Sequence, residues 1–336
     1  MIERSVGILG VGSYVPDTIV TNEDLKKYMD TSDEWIRERT GIRERRFASP
    51  EQATSDLATE AARKALEHAG VSAEEIDLII LGTVSPDMLL PSTACLVQNN
   101  IGAVNAGAFD LSAACAGFIY GLIMGSQMIK AGACKKVLVI GAETLTRIVN
   151  LSDRGTGIIF ADGAGAAVLG ETEQGFGVLS FDMGSDGSGS ELLCMPGGGS
   201  RIPATEESVK AGLHAAKMDG SEVFKFAVRI MGKTVDTSLA KAGLSKDEID
   251  VLIPHQANHR IIQSAAKRIG VPMDKVVMNL DRFGNTSAGS VPLALDEAVR
   301  QGKINTGDNV VLVGFGAGLT WASCVMKWRG TSYRNA

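Results

Sequence analysis

No two of the five cysteines (Cys95, Cys115, Cys134, Cys194, Cys324) form a Cys-x-x-Cys pair. Their odd number and wide spacing argue against a disulfide framework and offer no zinc-ligand spacing, which points to a reducing, cytoplasmic setting. Excess positive charge is also missing. Lys and Arg number 33 against 39 Asp and Glu, a net charge of −6, so no global basic surface invites nucleic acid and an anionic ligand needs a local basic patch. No run approaches the roughly 18 apolar residues of a membrane span. The opening "MIERSVGILGVGSYVP" lacks the basic start, long apolar stretch and small-residue cleavage site of a signal peptide. It does hold GxG, but Val15 stands where GxGxxG requires its third glycine, so it reads as a buried strand and turn. "GSDGSGS" (184–190) and "PGGGSR" (196–201) are followed by no GK[ST] and read as flexible loops rather than phosphate loops. "HQANH" (255–259) resembles HExxH without its glutamate. Gln256 cannot act as a general base, so no metal site is expected there.

What is present is a globular composition, 45% hydrophobic and 21% charged over 336 residues, and an internal repeat. "LEHAGVSAEEIDLII" (66–80) matches "LAKAGLSKDEIDVLI" (239–253) at an offset of 173, and "VLVIG" (137–141) matches "VVLVG" (310–314) at the same offset. "GAGAAVL" (163–169) aligns with "GAGLTWA" (316–322) at offset 153, which predicts 20 extra residues in the first half between Gly141 and Gly163. Each unit reads as a helix stopped by Ala-Gly and a short β-branched strand, the pattern of a buried parallel sheet. The predicted class is α/β, duplicated, with halves at 1–175 and 176–336. The helix after Cys115 is apolar nearly all round and should be buried. Its Gly117, Gly121 and Gly125 repeat as Ser290, Ala294 and Ala298, small ridges that predict two central helices packed closely about a pseudo-twofold axis.

Three positions carry chemistry. In "DLSAACAGF" (110–118) a strand runs into a turn, and Cys115 stands at the start of the buried helix among small neighbours. A helix amino end lowers a thiol's pKa and offers N–H groups to an oxyanion. The other reading of Cys115, a buried structural cysteine, stays open on local context and is kept for the remaining four. His255 lies just past a strand end, where ligands gather in open α/β sheets, though a satisfied core histidine fits the segment equally well. Asn285, in "RFGNTSAGSVP" (282–292), overlays the Cys115 turn at offset 173, with Ala288 opposite the cysteine; read alone, Asn285 is a helix cap.

Together "DLSAACAGF", "PHQANHRI", "GNTSAGSVP" and "GFGAGLTW", with "TSDEWIRERTGI" (31–42), resemble the β-ketoacyl-acyl-carrier-protein synthase III family, the initiating condensing enzymes of bacterial type II fatty-acid synthesis, over essentially the whole chain. The resemblance implies a thiolase-like fold, two α/β halves in a five-layered α-β-α-β-α sandwich, usually as a homodimer. It implies Cys115 as the nucleophile taking an acyl group from acyl-coenzyme A, with His255 and Asn285 as neutral donors to the enolate formed when malonyl-acyl carrier protein loses carbon dioxide. The oxyanion hole falls to the backbone N–H groups of Cys115 and Ala317, where many members carry glycine instead of alanine. Coenzyme A contacts fall to Trp35, Arg39 and Arg154, and carrier-protein docking to Arg260, Lys267 and Arg268. Leu90, implied to reach the partner subunit's acyl pocket, and Phe315 are the implied acyl-pocket residues. No resident cofactor or metal is implied, since acyl-coenzyme A and malonyl carrier are substrates. The rival readings are a related acyltransferase of secondary metabolism and, from another class, a cysteine-dependent thioester hydrolase. A biosynthetic thiolase is disfavoured, because "GFGAG" stands where its second cysteine would be.

Overall fold

The computed structural model describes residues 4–330. The first half contains strands β1 (Val6–Tyr14), β2 (Thr18–Thr21), β3 (Glu44–Phe47), β4 (Leu78–Gly82), β5 (Gly107–Leu111), β6 (Val137–Thr144) and β7 (Asp162–Glu171). Its helices are α1 (Asp33–Thr40), α2 (Thr54–Ala69), α3 (Thr93–Ile101) and α4 (Gly117–Lys130). The second half contains β8 (Gly177–Ser185), β9 (Leu193–Cys194), β10 (Lys217–Met218), β11 (Val251–Pro254), β12 (Asn309–Gly316) and β13 (Thr320–Lys327). Its helices are α5 (Glu206–Lys210), α6 (Gly220–Ala242), α7 (His259–Ile269), α8 (Leu280–Phe283) and α9 (Ser290–Arg300).

The two main sheets have one topology. The first runs β1-β7-β6-β4-β5 and the second β8-β13-β12-β11, each with parallel strands on one side and antiparallel strands on the other. The place of β5 in the second sheet is held by a single parallel bridge, Leu252 to Val276. All eight residues of β6 are buried, as its unbroken apolar run demands of a strand covered on both faces. Helices α2 and α6 both end at an Ala-Gly stop, with Gly70 and Gly243 in the left-handed conformation. The order of layers is α2 and α3, first sheet, α4 with α9, second sheet, α6 and α7. Three apolar clusters fill the spaces: one around α4 and α9 between the sheets, and one on each outer face. The amino-terminal GxG lies in β1, where a Cβ on Gly10 or Gly12 would come within 2.4 Å of the α2 backbone. It is a packing motif.

Two expectations from the repeat are corrected. Val137 pairs with Leu169 and Val310 with Met326, so the last strands superpose at an offset of 157, not 153. The first half therefore carries 173 − 157 = 16 extra residues before β7, not 20. A run of small residues supports both alignments, and strand register selects one. The glycine ridge of α4 also faces elsewhere than expected. A Cβ on Gly121 or Gly125 would lie 2.9 Å from Val139 or Val137, so this ridge seats α4 on its own sheet. Of the three, Gly117 is the one that touches the other half, at Ala288.

The halves meet most closely through their turns. A Cβ on Gly141 of β6 would sit 2.1 Å from the Ala288 carbonyl oxygen. At the twin position a Cβ on Gly314 would lie 3.3 Å from the Cys115 carbonyl oxygen, and one on Gly316 would sit 2.6 Å from the Cys115 nitrogen. Each half thus presents a glycine notch to the turn of the other. Overpacking of a backbone contact costs about 1–3 kcal/mol or more. Gly141→Ala is therefore expected to lower the unfolding free energy by that amount in urea denaturation, and an unchanged midpoint would refute the notch.

Candidate active site

Cys115 stands in a single 3-10 turn, Ala114–Ala116, between β5 and α4. Ala114 holds φ at +46°, a strained value for a residue with a Cβ, and Ser287 repeats it at +48° in the twin turn. The Thr320 hydroxyl donates to the Ala113 carbonyl at 2.9 Å and ties the turn to β13. The thiol is 6% exposed. The sequence reading has the helix amino end lowering its pKa, but burial opposes this and pushes the thiol up to about 12. The resting group is a thiol, and the amino end of α4 acts on the thiolate only as it forms.

His255 follows β11, its N–H bonded to the Val313 carbonyl at 2.7 Å. It is 1% exposed, and desolvation brings its pKa down to about 3, so the ring is neutral at working pH. Its Nδ1 lies 2.7 Å from Ser290 Oγ, which also accepts the Gln256 backbone N–H at 3.3 Å. When Ser290 donates its proton to Nδ1, Nε2 carries the ring proton. Phe315 meets the ring edge-on at 5.4 Å. The Gln256 side chain bonds the Pro254 and Val277 carbonyls and the Asn279 N–H, a wholly structural role.

Asn285 is zipped to the first half. Its N–H donates to the Ile159 carbonyl at 3.0 Å, and its carbonyl accepts from Ala161 at 2.9 Å. Its Oδ1 accepts the Ser287 N–H at 2.8 Å, a local turn bond rather than a cap on α9, and this leaves the carboxamide NH2 as donor.

A cavity of about 720 Å³ is lined by Cys115, His255, Asn285 and Phe315, with Trp35, Arg39, Arg154 and Arg260 among its other lining residues. Trp35 lies on α1, whose start is capped by Ser32 Oγ accepting from the Trp35 N–H. The guanidinium carbons of Arg39 and Arg154 lie 4.6 and 3.8 Å from the Trp35 ring centroid. Lys267 and Arg268 are exposed at the other end of α7, about 10 Å along the axis from Arg260, and Arg268 packs over Gly232 of α6. A second cavity of about 200 Å³ also opens on Cys115, lined by Ala317, Ser287, Leu145, Val149, Phe160 and Leu193 among others. Ala317 is outside the positive-φ region, so its alanine side chain costs no strain. Phe315 belongs to the larger cavity, beside His255, and not to the small apolar one. Leu90 lines neither cavity of its own chain and is 81% exposed.

Residues 109–187 match the model of the 3-oxoacyl-[acyl-carrier-protein] synthase III family, and residues 239–328 match the model of its carboxy-terminal part. The β-ketoacyl-[acyl-carrier-protein] synthase III of Caldanaerobacter subterraneus subsp. tengcongensis is 57% identical over 96% of this chain and 98% of its own. The chain belongs to the β-ketoacyl-[acyl-carrier-protein] synthase III family. The corresponding protein of Clostridioides difficile is 58% identical over 97% and 99% of the two chains. The solved structure of the family member from Thermus thermophilus is 45% identical, covers 97% of this chain and 100% of its own, and superposes with a TM-score of 0.90. The fold is thus the thiolase fold of condensing acyltransferases.

Within this synthase III framework, the sequence reading did not single out Ser290 as the partner of His255, having counted it only as a small residue. Phe160, Leu145 and Leu193 were missed because isolated apolar residues in short turns and connections carry no signature. Glu143 was missed too, although an acidic residue ending the apolar run "VLVIGA" was a legible signal.

Burial of His255 has a measurable consequence. Its folded pKa is depressed, so the unfolded state binds the proton between about pH 6.5 and 3, and stability present above 6.5 falls as pH drops. The loss is about 1.4 kcal/mol per pH unit from this group. Nitrogen-15 spectra of the ring are expected to show the Nε2–H tautomer unchanged from pH 8 to 5; a titration near 6.5 would refute the assignment.

Proposed function

We propose that this enzyme condenses an acyl-coenzyme A primer with malonyl-acyl carrier protein, with loss of carbon dioxide, through an acyl-Cys115 thioester. The observation that carries this reading is the convergence of one buried thiol and two neutral donors on a single cavity whose lining also includes a Trp–Arg cluster. In the first step Sγ of Cys115 attacks the thioester carbonyl, and the oxyanion is held by the Cys115 and Ala317 backbone N–H groups. The contact of Gly316 with the Cys115 nitrogen supports that pairing. In the second step malonyl loses carbon dioxide. His255 Nε2–H and the Asn285 NH2 donate to the enolate oxygen, and a water-poor site makes such donors strong. The enolate carbon then attacks the acyl-cysteine. No resident cofactor is assigned.

The adenine of coenzyme A is assigned to the Trp35 face, where Arg39 and Arg154 already stack. The acidic carrier protein is assigned to Arg260, Lys267 and Arg268, which recur at i, i+7 and i+8 along one side of α7. The small apolar cavity is assigned to the acyl chain, and its size favours short or branched primers. A homodimer through the β5 edge is assigned because that edge is unpaired in the chain, with Phe109, Leu89 and Leu90 exposed. Leu90 would then reach the partner's acyl pocket.

Mass spectrometry after incubation with a panel of acyl-coenzyme A compounds tests this reading. Cys115→Ala is expected to abolish labelling. His255→Ala and Asn285→Ala are expected to keep the label and lose about 10²–10³ in decarboxylation, the usual effect of removing one such donor. Wild-type release of carbon dioxide by both variants would sink the enolate assignment. Trp35→Ala is expected to raise the KM for acyl-coenzyme A while leaving malonyl decarboxylation unchanged.

A further inference from the structure

Beside the thiol is a buried carboxyl that the steps above do not use. Glu143, in β6, is completely buried. Its Oε2 accepts from Thr83 Oγ1 at 3.0 Å, the Val84 and Ser85 N–H groups at 3.0 and 3.1 Å, and Ser85 Oγ at 2.6 Å. Its Oε1 is buried without a partner. Ser287 Oγ is also buried without a hydrogen bond of standard geometry, yet it neighbours both Glu143 and the Cys115 thiol. Two unpartnered polar atoms placed together in a dry interior cost free energy unless they serve each other or a reacting group. Ser287 is moreover held there at φ +48°.

We propose that Glu143 is the proton acceptor for Cys115 during acylation, reached through the Ser287 hydroxyl. As Sγ bonds to the acyl carbon, its proton passes to Ser287 Oγ, whose own proton passes to Glu143 Oε1. The coenzyme A sulfur leaves with the electron pair of the broken C–S bond. The reverse passage returns the proton to that sulfur, giving the free thiol of coenzyme A and restoring the carboxylate. Atoms and charge balance, and the pair never holds more than one negative charge. That matters because an ionised Glu143 repels a thiolate in this low-dielectric site, and accepting the proton removes the repulsion as the thiolate forms. Burial pushes the Glu143 carboxyl up, which brings its protonation within reach. The groups facing it are Thr83, Val84 and Ser85 after β4, Ser287 in the twin turn, and Cys115; of these Cys115 alone titrates.

The proposal rests on Cys115 being the acylated residue. Rapid-quench mass spectrometry of the wild-type enzyme, Ser287→Ala and Glu143→Gln with a short acyl-coenzyme A, from pH 6 to 9, tests it. Ser287→Ala keeps the turn, since Ala114 holds the same conformation in the twin position, and it carries the test if Glu143→Gln does not fold. The wild-type acylation rate is expected to be nearly level with pH. In both variants the rate is expected to fall at least tenfold at pH 7 and to climb about tenfold per pH unit, as free thiolate becomes the requirement. Variants with wild-type rates, or slowed equally at every pH, overturn the relay. A wild-type enzyme that takes no label overturns the acyl-Cys115 reading itself.

Discussion

Each half of the molecule pushes a strained turn into a glycine notch on the central strand of the other. Cys115 rests on Gly314 and Gly316, and Ala288 rests on Gly141. A side chain at Gly141 or Gly316 would force the sheets apart at the point where thiol, imidazole and carboxamide must meet. The left-handed residue in each turn, Ala114 or Ser287, costs about 1–2 kcal/mol relative to an ordinary conformation. The contacts of the opposite half hold it there. The active site is therefore a property of the interface between the two copies, not of either one.

The reacting groups are buried at that interface, and burial acts in two directions. It keeps His255 neutral, so that the ring donates a hydrogen bond without carrying charge, and it strengthens every donor aimed at a developing oxyanion. It also keeps the Cys115 thiol protonated at rest. The helix amino end, the backbone N–H groups and the Ser287–Glu143 pair all address this one difficulty, the formation of a charge where charge is unwelcome. Ser290 contributes differently, by holding the His255 ring through its Nδ1.

Much of the fold was legible because repetition is visible without coordinates. The Ala-Gly stops at Gly70 and Gly243 and the β-branched runs of β4, β6, β11 and β12 repeat at constant spacing, and spacing survives in a linear string. The register of β7 and β13 was misread, since a string of Gly and Ala aligns with itself at several offsets and only hydrogen-bonded pairing discriminates. The α4 glycines were assigned to the wrong neighbour for a related reason. Periodicity says that a helix face is small, not which surface lies opposite.

The chain's local chemistry determined the duplication, the α/β class, the nucleophile turn and the residue types able to hold an enolate, because these depend on neighbours a few positions apart. Tertiary structure decided the protonation of the thiol and the imidazole, the Ser290 contact on His255, the lining of the small cavity beside Cys115 and the placing of Glu143. Those depend on burial and on contacts between residues separated by tens to hundreds of positions, and desolvation is a property of the assembled interior that no short stretch of sequence contains.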